Sequence, residues 1–244
     1  MGSSFGVISQ TGNNIQTEGL VFYVDASINK SYPKSGANTF NLASGSLTPT
    51  GSLKNDTVYQ SNGGGSWFFD NVDDFINCGN PSILNFGNGS SDNPFSISTW
   101  INMTDATNFV PIAKDTSGDR QWVIRFVSDK LHFYTIDDSA GGYIGRLYNT
   151  VITSFQGTWI HTAYTYDASE ANSGFKIYLN GIRVDDTNYS AGSYTAMEAT
   201  TQPVQIGAQG SFIDSSYGYI ANCQVYNRAL SAGDVLQNYN AQKG

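Results

Sequence analysis

The chain has 244 residues, 39% of them hydrophobic and 14% aromatic, with a formal net charge of −8 and a pI near 4.5. That acidity repels polyanions and sets nucleic-acid binding aside. No apolar run reaches the length of a membrane span, which sets membrane insertion by a helix aside. Only 13% of residues are charged, while Gly (26), Tyr (15) and Phe (14) are abundant, a composition of strands joined by tight turns.

Residues 1–18 are polar and rich in Gly, Ser and Asn, with an isolated apolar patch at Phe5, Val7 and Ile8. The expectation is an arm that docks on a partner subunit or on its own domain, followed by one domain over 19–244. The start carries neither a basic n-region nor an apolar h-region, so the protein is expected to be made in the cytoplasm without a secretory signal.

GLVFYVDAS (19–27) reads as a first strand ending in Asp25, and 28–65 is rich in turn residues. WFFDNVDDFINCG (67–79) reads as two short strands joined through Asn71 and the Asp73-Asp74 pair. In FSISTWINM (95–103), Phe95, Ile97 and Ile101 alternate with Ser96, Ser98 and Trp100. RQWVIRFVSDKLHFYTID (120–137) is a strand pair turning at Ser128-Asp129, and GGYIGRLYN supplies another strand. QPVQIGAQG and GYIANCQVYN give the last two.

The most informative stretch is WIHTAYTYDASEANSGFKIYLNGIRV (159–184). Asn180-Gly181 is the dipeptide a type I′ hairpin needs, because both turn positions require positive φ. Closure there sets Leu179 opposite Ile182, Tyr178 opposite Arg183, Ile177 opposite Val184 and Lys176 opposite Asp185. One face should be core (Ile177, Leu179, Ile182, Val184), and the other a wet face of Tyr–Arg and Lys–Asp pairs.

One helix is expected near the C-terminus. Ser231 is its N-cap, Asp234 its capping-box acid, Val235 and Leu236 the start of its apolar face, and Tyr239 its approximate end. Cys78 and Cys223 lack metal or redox spacing and read as buried free thiols, with a bridge between them as the alternative.

Taken in order, GLVFYVDAS, FFDNVDDFINCG, FSISTWINM, WIHTAYTYD, KIYLNGIRV and GYIANCQVYNRALSAGDV resemble successive blocks of the laminin-G-like, concanavalin A-like lectin/glucanase superfamily, over roughly 19–240. The resemblance implies an all-β jelly-roll sandwich of two antiparallel sheets, one concave and one convex. The ending LQNYNAQKG resembles the close of such domains in tailed-phage structural proteins.

Chemistry must be read separately from fold. Retaining glucanases of this superfamily place paired acids on one strand as Glu-x-Asp-x-(x)-Glu. Here Glu18, Glu170 and Glu198 all fall outside strands, and no Gly-x-Ser-x-Gly elbow or His-Glu-x-x-His pattern occurs. The expectation is a protein that is not an enzyme.

The resemblance allows one Ca²⁺ at the sandwich rim, with Asp70, Asp73 and Asp74 as candidate ligands and Asp25 and Asp214 as outliers. The competing reading has Asp73 or Asp74 accepting turn amides. Candidate glycan contacts are Tyr143, Arg146, Tyr148, Tyr217 and Tyr219, rings for the apolar face of a sugar and a cation for its hydroxyls.

The sequence thus points to a non-catalytic, lectin-like structural protein of a phage-type particle, a capsid decoration or tail-associated subunit. It would be present in the virion as a homo-oligomer or in many copies, meet other particle subunits through residues 1–18, and contact surface glycans. An extracellular carbohydrate-binding or adhesion module is the alternative, and a glycoside hydrolase the third reading.

Overall fold

The computed structural model describes residues 14–43, 49–210 and 214–244. Phe5, Val7 and Ile8 of the expected arm lie outside the described residues. The architecture is the all-β sandwich expected from the alternating runs, built from two large antiparallel sheets and one helix.

The first sheet has eight strands. Its order is β14 (Ile182–Arg183), β13 (Phe175–Leu179), β12 (Ile160–Tyr166), β7 (Phe95–Met103), β19 (Tyr217–Tyr226), β5 (Ser66–Asp70) and β4 (Val58–Gln60), and β1 (Leu20–Asp25) also pairs with β19. The second has nine: β15 (Thr187–Asn188), β11 (Gly142–Tyr148), β10 (Lys130–Asp137), β9 (Asp119–Val127), β8 (Asn108–Thr116), β16 (Gln205–Ile206), β6 (Phe75–Asn77), β3 (Pro49–Lys54) and β2 (Asn38–Phe40). A ribbon of β17 (Ala208–Gln209) and β18 (Asp214–Ser215) lies against β8. The strands on either side of Asn71 thus enter different sheets, β5 the first and β6 the second.

Between the sheets, the inward members of each alternation form one core. Phe95 stacks on Phe86 at 4.3 Å and meets Phe133 edge-on at 5.6 Å, while Tyr166 stacks on Phe175 at 4.1 Å. Each such ring removes about 150–250 Å² from water, so aromatic burial dominates the stability of this sandwich. Cys78 and Cys223 are buried free thiols at this core.

Local turn chemistry fixes the register. Asn180 and Gly181 have φ of 51° and 81°, and Leu179 pairs with Ile182 and Tyr178 with Arg183. Ser128 and Asp129 turn the β9–β10 hairpin in the same left-handed region. The faces of β14 differ from the alternation pattern: Ile182 is 69% exposed, while Tyr178 is buried. Asp185 does not face Lys176. Its buried carboxylate accepts from the Ile177 amide, Arg146 and Arg183.

The burial of Tyr178 is due to α1 (Ala232–Gln242), which runs three residues beyond the expected end. Its capping box is formed: Asp234 N–H donates to Ser231 Oγ, and Ser231 N–H to the Asp234 carboxylate. Val235 packs with Ala163, Tyr178, Tyr226 and Leu230 on the outer face of the eight-stranded sheet, so the hairpin face expected to be wet is roofed. Leu236, expected on the buried stripe, is 46% exposed. The described part of the arm joins this helix: Gln16 N–H donates to Asn238 Oδ1 at 2.7 Å and its side-chain amide to Gln237 Oε1 at 2.7 Å, while Arg228, ahead of the helix, donates from Nε to the Glu18 carbonyl at 2.9 Å.

Candidate functional site

The nine-stranded sheet carries no helix on its outer face among the described residues. Alternation decides what points there. On β10, Leu131 and Phe133 enter the core, while Tyr134 and Ile136 join Val110, Ala113 and Val123 in a separate outer cluster. On β11, Ile144 points inward and Tyr143, opposite Ile136, belongs to the outer cluster. Tyr189, just past β15, is added at the edge, its amide donating to the Gly145 carbonyl.

The three tyrosines form one surface. Tyr143 and Tyr189 lie 4.8 Å apart at 34°, and Tyr134 meets Tyr189 edge-on at 5.2 Å. Gly145 sits opposite Tyr134, where a Cβ would come within 2.5 Å of the Tyr134 Cβ, so glycine lets the strands approach here. Beside the rings opens a cavity of about 490 Å³, lined also by Asp115, Arg120, Arg125 and Gln209. The volume suits one or two sugar rings.

The polar end is preassembled. Arg125 stands 5.5 Å over the Tyr134 ring and donates through Nη1 to Asp214 at 3.0 Å. Gln209 donates from its amide to Asp115. Arg120 Nε donates to Asp138 at 2.5 Å. Burial pushes the Asp115 carboxyl up to about 6, opposed by Arg120 and the Gln209 hydrogen bond. His132 packs edge-on against Tyr189 at 4.7 Å, and burial, then the Arg125 and Lys130 charges, lower it to about 4, so it is neutral at pH 7. Burial also raises the Tyr134 hydroxyl, which stays protonated.

The five residues expected to contact glycans are not brought together. Tyr143 is in the groove. Arg146 and Tyr148 alternate onto the opposite side of β11, where Arg146 pairs with Asp185 at 3.0 Å and Tyr148 packs against the core. Tyr217 and Tyr219 lie on the other sheet beside Phe68, with Phe68 and Tyr219 centroids 5.0 Å apart. Sequence reading missed Tyr134, Tyr189, Arg125, Asp115 and Gln209.

Asp70, Asp73 and Asp74 do converge, with one carboxylate oxygen from each within 4.8 Å of the others. Asp74 is buried. It accepts the Asp70 amide at 3.1 Å and the Thr57 hydroxyl at 3.4 Å, while Asp70 accepts the Val72 amide at 2.8 Å. The expected turn-holding role is therefore present. Burial and then the Asp70 charge raise Asp74 to about 6. Carboxylate oxygens match a hard cation in donor type, and a calcium ion at this turn would compete with the Thr57, Asp70 and Val72 donors that already engage Asp74 and Asp70. Asp25 is elsewhere, buried at the end of β1 and accepting from Tyr23, Ser27 and its amide. Asp214 is also elsewhere, on β18, where it pairs with Arg125 and accepts from Asn108.

Two of the three glutamates have a carboxyl neighbour, Glu198 at Asp137 and Glu170 at Asp92, and all three serve as loop acceptors. Glu198 accepts the Asp138 and Ser139 amides, Glu170 accepts the Asp92 amide, and Glu18 offers its carbonyl to Arg228. His161 bonds Ser98 at 2.8 Å, but the pair is fully buried beside the helix and out of reach of a substrate.

Solved structures share this fold. Domain 4 of AbnA, an extracellular arabinanase from Geobacillus stearothermophilus in complex with arabinotriose, aligns with a TM-score of 0.59 at 15% identity over 90% of this chain and 98% of that one. The binding domain of Paraclostridial Mosquitocidal Protein 1 aligns at 0.63 and 15% identity, covering 92% of this chain and 52% of that one. The botulinum neurotoxin type G receptor binding domain aligns at 0.59 and 12% identity, covering 91% and 51%. This chain spans about half the length of the two toxin domains. No curated protein matches its sequence. A family model matches residues 78–236, most of the sandwich, and the chain belongs to that family, the concanavalin A-like lectin/glucanases superfamily.

Proposed function

We propose that this domain is a non-catalytic, lectin-like module that contacts glycans through the tyrosine-lined groove of the nine-stranded sheet. The observation that carries it is the partly exposed Tyr143–Tyr189 ring pair set beside a hydrogen-bonding end of Arg125, Gln209 and Asp115. Rings take the apolar face of a sugar, and the polar groups take its hydroxyls. The arabinotriose complex of a domain with this fold supports the reading. Asp115 and Asp214 act as fixed acceptors, because Gln209 engages the one and Arg125 and Asn108 the other.

The proposal extends to display in many copies on a phage-type particle, as a capsid decoration or tail-associated subunit, with residues 1–18 meeting neighbouring subunits. Weak single-site contact then gains from multivalency. Release into the extracellular space as an adhesion module is the alternative.

A glycan array read with monomeric and with clustered protein tests the binding. Clustered wild-type protein should bind, and Tyr189→Ala should lower the signal by roughly tenfold, the loss of about 1–1.5 kcal/mol of ring contact. An array silent in both formats overturns the reading. Reducing-sugar release that disappears in Asp115→Asn would make the groove catalytic instead. Recovery of the protein in purified particles at a fixed copy number supports the particle role, and its absence there favours the adhesion module.

A further inference from the structure

The free donors of the groove bear on which class of sugar it accepts. We infer that the groove takes carboxylate-bearing oligosaccharides of the uronate class, with a sugar ring on the tyrosines and the acid group on Arg120; this rests on the glycan reading above.

The lining sets Arg120 and Arg125 against one carboxylate, Asp115. Their ion-pair partners, Asp138 and Asp214, stand outside the lining, and each engages a single guanidinium nitrogen. A guanidinium carries five N–H donors in a fixed fork, so one such contact leaves most of it unused. Asp138 takes Arg120 through Nε at 2.5 Å, and neither Nη1 nor Nη2 has a partner among the described residues. The side chain is 37% exposed and lines the cavity. Two parallel N–H donors at that spacing match the two oxygens of a carboxylate, a match no lysine ammonium reproduces.

Arg125 is more enclosed. Its Nη1 holds Asp214 at 3.0 Å, the Tyr189 hydroxyl neighbours its guanidinium, and its Nε is buried with no partner among the described residues. It contributes positive charge and an unmet donor close to the rings, while Arg120 supplies the open fork. The exposed Ser117 hydroxyl, on the turn between β8 and β9, adds a donor at the same mouth.

Two effects oppose an anion. Asp115 is the nearer, and the Gln209 amide already covers it. The acidity of the whole chain is the other, but charges farther than about 8 Å are largely screened at physiological salt. Because Asp138 and Asp214 offset the net charge of the two arginines, selection rests on the fork at short range and on the ring contact beside it. A small carboxylate such as acetate, with no ring to lay on Tyr143 and Tyr189, should not be held.

Calorimetric titration of the full chain tests this, with galacturonate and glucuronate oligosaccharides set against neutral galacto- and gluco-oligosaccharides of the same length. The acidic ligands should bind about tenfold tighter or more, the weight of a charge-assisted hydrogen-bond pair. Arg120→Gln should bring them down to the neutral level. Arg120→Lys keeps the charge and loses the fork, so it should restore only part of the preference. Arg120 is partly exposed and makes one ion pair, so both variants should fold, which a thermal melt checks. Equal or weaker binding of the acidic ligands overturns the inference and leaves the glycan reading standing. A preference that survives Arg120→Gln, or that Arg120→Lys restores in full, also overturns it. Acidic binding that persists in Tyr143→Ala combined with Tyr189→Ala puts the site off the groove and overturns the inference together with the groove reading. Binding of neither class overturns both.

Discussion

The two outer faces of the sandwich are written in the same alternating code but end in different states. On the eight-stranded sheet the outward residues of β7, β12, β13 and β19 lie beneath α1. Val235 closes an apolar cluster with Ala163, Tyr178 and Tyr226, and Tyr239 stacks on Trp100 at 5.9 Å and 18°. On the nine-stranded sheet the outward residues of β9, β10 and β11 meet the edge segment that brings Tyr189, the β17–β18 ribbon at Arg125 and the loop at Glu198, and a cavity remains between them. Side-chain chemistry alone does not separate the faces, since both carry tyrosines and a buried histidine. What separates them is whether later chain returns to cover the row. A covered row becomes structure; an open one is free to bind.

Breaking the covered face should have the largest effect. Val235→Asp sets an unpaired carboxylate among Ala163, Tyr178 and Leu230, at a cost on the order of 4 kcal/mol. For a domain of this size the melting temperature should fall by about 8–16 °C. Tyr143→Ala in the open groove should cost less than about 1.5 kcal/mol of stability while lowering glycan affinity. Comparable losses of stability in the two variants, by thermal unfolding, would erase the contrast.

A pH titration sharpens the comparison next. Burial raises the Asp25, Asp74 and Asp115 carboxyls each to about 6. A folded-state pKa above the unfolded value means the folded state takes up the proton first as pH falls. Stability should therefore rise as pH drops from 7 through 6, by on the order of 1 kcal/mol per group by pH 5, and gain nothing further below about 4. Asp115→Asn should remove the groove's share and leave the other two. Melting temperatures that fall steadily from pH 7 to pH 5 would contradict the burial of these acids.

The acidic turn offers a smaller test. The Asp70 and Thr57 donors already hold Asp74, so calcium and chelator should each move the melting temperature by less than about 1 °C. A rise of several degrees with calcium would make Asp70, Asp73 and Asp74 a metal centre.

The fold was readable because its signals are local. Asn180-Gly181 and Ser128-Asp129 set two registers, and Ser231 with Asp234 set the helix start. The groove was not, because Asp115, Arg125, Tyr134, Tyr189 and Gln209 come from separate parts of the chain that only the topology joins. One signal was available. Continuing the pairing back from the Ser128-Asp129 turn puts His132 opposite Arg125 and Tyr134 opposite Val123, a mixed polar and aromatic row on the face away from Trp122, Ile124 and Phe126. Tyr189 had no such signal, being positioned by a loop whose path is set by long-range contacts.

The hairpin that organises the sequence gives the mildest test of this distinction. Its turn fixes which residues are paired, but pairing does not fix burial. Ile182 lies opposite Leu179 on a two-residue edge strand, past the reach of the second sheet, so Leu179 is buried and Ile182 is 69% exposed. Ile182→Thr keeps the β-branched shape and removes apolar surface that already faces water, so it should change stability by less than about 0.5 kcal/mol. Leu179→Thr, directly opposite across the same turn, forfeits burial in the core and should cost about 2–4 kcal/mol. Equal losses in the two variants would mean that β14 is covered in the folded protein and that the hairpin's apolar face extends to the sheet edge after all.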